Sequence, residues 1–188
     1  MPITTLDPQT ALIIVDLQRG IVASPKAHPL EPIVRNSAAL ADAFRSHGLP
    51  VVLVNVTGGA PGRTDQGSTA GREFPADFAE LLPELNQQPS DHLVTKKTWG
   101  AFTNTGLGTL LEDLGVTQVV LTGVATSIGV ESTARSAHES GFNVTLALDA
   151  MTDLTMNAHE NSVSTIFPRL GETGTTQEIL DVLKATRS

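Results

Sequence analysis

Leu121-Thr-Gly-Val-Ala-Thr-Ser-Ile-Gly-Val-Glu-Ser-Thr-Ala-Arg135 decides how the rest of the chain is read. The residues leading into it, Gln118 to Thr122, predict a buried strand. Beyond the turn, Val130, Ala134 and Ala137 recur at i, i+4 and i+7, the spacing of one helix face. A strand that breaks sharply into a helix leaves several backbone N–H groups without intrahelical partners. Such a junction suits an anion or a developing oxyanion. Gly129 stands at the start of the helical side, where an enzyme of this architecture often holds a nucleophile, and glycine supplies none.

Outward from this turn, strands and helices alternate. Ala11 to Val15 is a continuous apolar run ending at Asp16, Val51 to Val56 predicts a second strand, and His92 to Thr95 a third that delivers Lys96. Asn143 to Leu148 predicts a fifth strand ending at Asp149, and Gly171 to Gly174 a short sixth. Between them, Pro32 starts a helix that carries Val34, Ala38, Ala41 and Phe44 and stops at Gly48. Asp77 to Leu85 predicts a short helix, and Leu107, Leu110, Leu111 and Leu114 another, closed by Gly115. Asn157 with Glu160 reads as a capping pair for a helix towards Phe167. Thr175 with Glu178 repeats that spacing ahead of Ile179, Leu180, Val182 and Leu183.

This alternation implies right-handed crossovers and a doubly wound parallel sheet with helices on both faces. Ligands of such sheets bind beyond the carboxyl ends of the strands. Asp16, Lys96 and Gly123 to Gly129 all fall at carboxyl ends, so three separate stretches converge on one crevice. Thr57 to Phe74, with five glycines, Pro61 and two arginines, reads as a long loop, either a functional lid or disordered.

A chain of 188 residues suits one domain, 1–188. Its net charge of −8, with twelve scattered Lys and Arg, argues against a nucleic-acid partner. The absence of cysteine excludes disulfides, thiolate metal sites and thiol nucleophiles. Neither a signal peptide nor an apolar run of the ~20 residues that span a bilayer is visible, so a cytoplasmic enzyme or binding protein with no membrane partner is expected. Dinucleotide and P-loop fingerprints are absent, and the five histidines show no paired metal-site spacing, so neither cofactor nor metal is inferred.

Asp16, at a strand end facing an apolar crevice, reads as a general acid or base, or else as a turn or capping residue. Lys96 either holds that carboxylate ionised and stabilises developing charge, or is solvated beside Lys97. Trp99 and Phe102 wall a small planar substrate, or serve in the core or in a subunit contact. Arg63 and Arg72 on the glycine-rich loop have the geometry to grip a substrate carboxylate. Ala125 to Gly129 also lies one residue from a nucleophile-elbow motif. Ser127, Asp149 or Asp153, and His159 follow the order of a serine-hydrolase triad, a second route to hydrolysis.

Asp16-Leu-Gln18, Lys96 with Trp99-Gly-Ala-Phe102, Thr122-Gly-Val-Ala-Thr-Ser-Ile128, Glu131-Ser-Thr-Ala-Arg135 and Asp149-Ala150 together resemble the isochorismatase-like hydrolases over nearly the whole chain. The resemblance implies a six-stranded, three-layer α/β/α fold, homo-oligomeric assembly as a dimer or tetramer, and a non-proline cis peptide at Val124-Ala125. It implies catalytic positions at Asp16, Lys96 and Gly129, with Gln18, Trp99, Phe102, Val124, Ala125 and Ser127 around a small-molecule substrate. Most members carry cysteine where this chain has Gly129, so a covalent thiol step is unavailable. Isochorismatases proper also lack that cysteine and cleave a vinyl ether without it, the aspartate protonating the enol carbon. The two functional expectations are a cysteine-free hydrolase of a small, carboxylated molecule, and a non-catalytic binding or assembly protein of the same fold.

Overall fold

Along β1 (Thr10–Val15), Leu12 and Ile14 enter one apolar cluster, while Ala11, Ile13 and Val15 enter another. In β2 (Val51–Val56) the same alternation sends Val51 and Leu53 one way and Val52 and Val54 the other. An apolar run with period-two side-chain direction must be covered on both faces, and here it is. The computed structural model describes residues 2–24, 26–65, 67 and 73–187.

Six strands run parallel in the order β3 (His92–Lys96), β2, β1, β4 (Gln118–Val124), β5 (Asn143–Thr152), β6 (Glu172–Gly174). The order turns back on itself between β1 and β4, so their carboxyl ends open the crevice in which ligands of such sheets bind. The short α1 (Arg19–Val22) follows β1. Two helices, α2 (Leu30–Ser46) and α6 (Thr176–Thr186), cover one face through Ile33, Leu40, Phe44, Ile179 and Leu183. The other face is covered by α3 (Leu107–Asp113) and α4 (Glu131–Glu139), through Leu107, Leu111, Ala134 and Ala137. The predicted doubly wound α/β sheet is therefore the observed one.

Three elements differ from prediction by more than two residues or in kind. β5 continues past Leu148 to Thr152, because Ala150 and Met151 are fully buried and carry the strand onward. Asp149 thus lies within the strand and caps α6, accepting from the Thr176 N–H at 2.6 Å and its hydroxyl at 2.8 Å. The helix expected over 77–85 is reduced to turns and one 3-10 turn, Pro83–Leu85, with proline in its first turn. The helix expected from Asn157 is α5 (Met156–Asn161), capped by Thr155, and it passes through a π turn (Ser162–Ile166) into the 3-10 turn Phe167–Arg169. Capping of α6 by Thr175 and Glu178 is as predicted. Within the 57–74 stretch, residues 66 and 68–72, Arg72 included, lie outside the described residues.

Candidate active site

The carboxyl ends of β1 and β3 flank β2 and bring two charged side chains together. Lys96 Nζ donates to Asp16 Oδ2 at 2.6 Å, with side chains only 2% and 7% exposed. The same ammonium donates to the Thr98 carbonyl at 3.1 Å. Asp16 has a φ of 53°, a left-handed conformation that aspartate tolerates better than most residues. Its other oxygen, Oδ1, is buried and takes no hydrogen bond among the described residues. A carboxylate so poorly solvated holds its proton more tightly. Burial raises the Asp16 pKa from 3.8 to about 6, and the charge and hydrogen bond of Lys96 offset only part of that rise.

The β4 turn closes the third side. Gly123 has a φ of +117°, and a Cβ there would lie 2.0 Å from the Val15 carbonyl oxygen, so only glycine lets β4 pass β1 this closely. The Val124-Ala125 peptide is cis. A π turn (Thr126–Val130) then leads into α4 and holds Gly129 against Asp16. A Cβ on Gly129 would stand 3.2 Å from Asp16 Oδ2, 3.0 Å from Val15 Cγ1 and 3.4 Å from the Val124 carbonyl oxygen. Any side chain at 129 would therefore project beside the carboxylate. Glycine leaves that approach bare.

Several residues that the sequence reading did not assign to the turn's framework hold it in place. The Thr133 hydroxyl donates to the Gly129 carbonyl at 2.7 Å and accepts from the Ala101 N–H at 3.0 Å, tying the turn to the segment after Lys96. Asp153, 1% exposed, accepts from the backbone N–H of Ser127 and of Leu154 at 2.5 and 2.7 Å. His159 Nδ1 lies 2.9 Å from the Thr126 hydroxyl, and its ring meets His28 edge-on at 4.7 Å. Burial and His28 lower the His159 pKa, against the opposing pull of Asp153 and Glu160. The only sequence signal for this bracket is polar residues, Thr133, Asp153 and His159, close to apolar helix or strand faces.

The remaining expected site residues separate. Gln18 is fully buried with its amide engaged by backbone. It donates to the Val56 and Phe78 carbonyls at 2.9 and 2.8 Å and accepts from the Val56 N–H at 2.6 Å. It locks the ends of β1 and β2 together and has no group left for a substrate. Phe102 is partly buried and packs against the core near Phe142, with ring centroids 6.1 Å apart. Trp99 is 61% exposed, at the rim. Val124, Ala125 and Ser127 lie on the turn itself. Arg63 is exposed.

The serine triad is not assembled. His159 is bonded to Thr126, the Asp153 carboxylate serves two backbone amides, and Asp149 caps α6. Among the described residues no cluster of three His, Asp or Glu could hold a metal, and no helix is long and apolar enough to cross a membrane.

The sequence pattern of the isochorismatase domain matches residues 10–178. Uncharacterized isochorismatase family protein YwoC of Bacillus subtilis is 42% identical over 182 residues, covering 94% of this chain and 95% of that protein. The solved structure of an isochorismatase family protein from Burkholderia thailandensis superposes with a TM-score of 0.91 at 38% identity, over 96% of this chain and 98% of that one. Nicotinamidase 3 of Arabidopsis thaliana is 31% identical over 159 residues, 80% of this chain and 76% of that protein.

Proposed function

This chain belongs to the isochorismatase family and is a hydrolase, and from that premise we propose that it hydrolyses a small carboxylated molecule without a covalent enzyme intermediate, a vinyl ether of the isochorismate type. The observation that carries this reading is the buried Asp16-Lys96 pair beside a glycine. The relative named as a nicotinamidase supports hydrolysis as the shared chemistry, and the absence of any thiol in this chain turns it away from acyl-enzyme formation through sulfur.

In the proposed reaction, protonated Asp16 gives its proton to the terminal enol carbon. The C=C electron pair forms the new C–H bond, and the ether oxygen shares the positive charge left on the adjacent carbon. Lys96 holds the carboxylate that remains. Turn amides near Ala125 and Gly129 orient the substrate. The exposed Trp99, Leu154 and Met156 supply apolar surface for a homo-oligomer, dimer or tetramer, and a cytoplasmic location accords with the reading.

The test is pyruvate release from isochorismate and related vinyl ethers, followed with a coupled lactate dehydrogenase assay. Release by the wild type and a loss of about 10²- to 10⁴-fold in kcat for Asp16→Asn are expected. Full turnover by Asp16→Asn refutes the role of Asp16. Tight binding without product from every compound makes the protein a binder.

A further inference from the structure

At the amino ends of β4 and β5 lies a cavity of about 420 Å³, at the small end of the range for small-molecule sites. The strands run parallel, and the seven residues of β4 put about 20 Å between this cavity and the crevice at Asp16 and Lys96. Part of its lining is apolar: Phe142 and Val144 are buried there, and Leu170 is partly buried. The last turn of α4 contributes His138, and the 3-10 turn before β6 contributes Arg169.

The polar groups of the lining differ in what they already hold. Asp7 accepts from the Thr117 hydroxyl at 2.8 Å and from the Asn143 amide at 3.0 Å. Glu172 accepts from the Thr4 N–H at 2.8 Å and from its hydroxyl at 2.6 Å. Both carboxylates thus have donors of their own. The Gln118 amide is spent in the same way, accepting from the Asp7 N–H at 2.6 Å and donating to the Thr145 hydroxyl at 3.0 Å. Arg169 and His138 are the contrast. Neither side chain makes a hydrogen bond or an ion pair among the described residues. A guanidinium presents N–H donors in a planar fork that matches a carboxylate, and an imidazole N–H adds another donor. What the lining lacks is a charged acceptor joined to an apolar body. The two acids repel a second negative charge, which disfavours a phosphate or a dicarboxylate.

We infer that this cavity is a second ligand site, separate from the crevice at Asp16, and that it takes a small monocarboxylate with an aromatic or branched apolar body. The carboxylate pairs with Arg169 and receives a further N–H from His138, while the body lies on Phe142, Val144 and Leu170. Because α4 follows directly on the turn that carries Gly129 and ends at this cavity, an occupant sits in an effector's position.

Amide chemical shifts of the wild type titrated with 3-phenylpropanoate test the site. Shifts at Phe142 to Val144 and at Arg169 to Glu172 that saturate with a Kd of about 1 mM are expected. 3-Phenylpropanamide, with the same shape and no charge, should bind at least about tenfold more weakly. Arg169→Gln should weaken 3-phenylpropanoate by a similar factor, and Arg169→Glu should abolish its shifts. Arg169 is exposed, so both variants keep the fold. Shifts confined to residues around Asp16 and Lys96, equal affinity for acid and amide, or wild-type affinity in Arg169→Gln each overturn the inference. So does an absence of shifts at ~20 mM ligand, well above the expected Kd. The titration involves no turnover, so its outcome is independent of whether any vinyl ether is a substrate.

Discussion

Removing the Asp16 charge by Asp16→Asn should change how stability depends on pH, and the size of the change follows from the structure. The folded-state pKa of about 6 lies above the ordinary 3.8, so folding favours the protonated form. Protonated Asp16 therefore contributes stability that is complete below pH 3.8 and is lost as pH rises through about 6. The full span is about 3 kcal/mol, the gap in pKa at roughly 1.4 kcal/mol per unit. Between pH 4.5 and 7.5 about 2 kcal/mol of it is accessible. The variant also strands the buried Lys96 ammonium, which costs roughly 3–5 kcal/mol. That penalty adds to the difference between the two proteins, and the Asp16 contribution is read from how the difference changes with pH. Urea unfolding of both proteins at several pH values separates the two effects. The stability of the wild type relative to Asp16→Asn should fall by about 2 kcal/mol from pH 4.5 to 7.5. A flat difference, or one that grows with pH, refutes the claim that burial outweighs the ion pair at Asp16.

Gly123→Ala forces a Cβ to within 2.0 Å of the Val15 carbonyl at a positive φ, and a loss of more than about 4 kcal/mol, read by thermal or urea unfolding, is expected. Gly129→Cys installs the sole thiol of the chain beside Lys96 and Asp16. Iodoacetamide followed by mass spectrometry should label it faster than free cysteine at pH 7, whereas slower labelling would place residue 129 away from the crevice. Thr133→Val keeps the shape but leaves the Gly129 carbonyl and the Ala101 N–H without their shared partner. About 1–3 kcal/mol should be lost, with hydrogen exchange faster at Ala101 than elsewhere in its segment.

The sheet was legible because its evidence is local. Ala11 to Val15 and Val51 to Val56 are unbroken apolar runs, which only strands covered on both faces accommodate, and the helices between them carry their own period. Asp16 and Lys96 were legible as strand-end charges, and Gly129 as a turn position. The order of the strands brought them together. The surroundings of Gln18, Phe102 and Asp149 were not legible because they depend on partners distant in sequence. Gln18 serves Val56 and Phe78, Phe102 lies near Phe142, and Asp149 caps Thr176. The bracket of Thr133, Asp153 and His159 was invisible for the same reason, since a threonine facing a backbone carbonyl reads no differently from one facing water. β5 was cut short because Asp149 reads as a strand-end charge, whereas the structure spends that charge on the N-terminus of α6.

Burial and Lys96 pull Asp16 in opposite directions, and the balance between them is what would fit the residue for both halves of the proposed hydrolysis. At its ordinary pKa of 3.8, about one carboxyl in 1,600 would carry a proton at pH 7; at about 6, about one in eleven does. The available acid thus rises by about 150-fold. Burial without the ammonium would raise the pKa further and hold more protons, but each would be surrendered less readily, because acid strength falls as pKa rises. The resulting carboxylate would then face a water with no cation to steady it. In the proposed reaction, Lys96 at 2.6 Å lets the proton leave for an acceptor as weak as an enol carbon while the anion remains basic enough to take one back from water. A thiol at position 129 would ask for a base alone. In the proposed reaction glycine there leaves Asp16 free to act first as acid and then as base, and a carboxyl poised near 6 between a lysine and a dry wall suits that double duty better than either environment alone would.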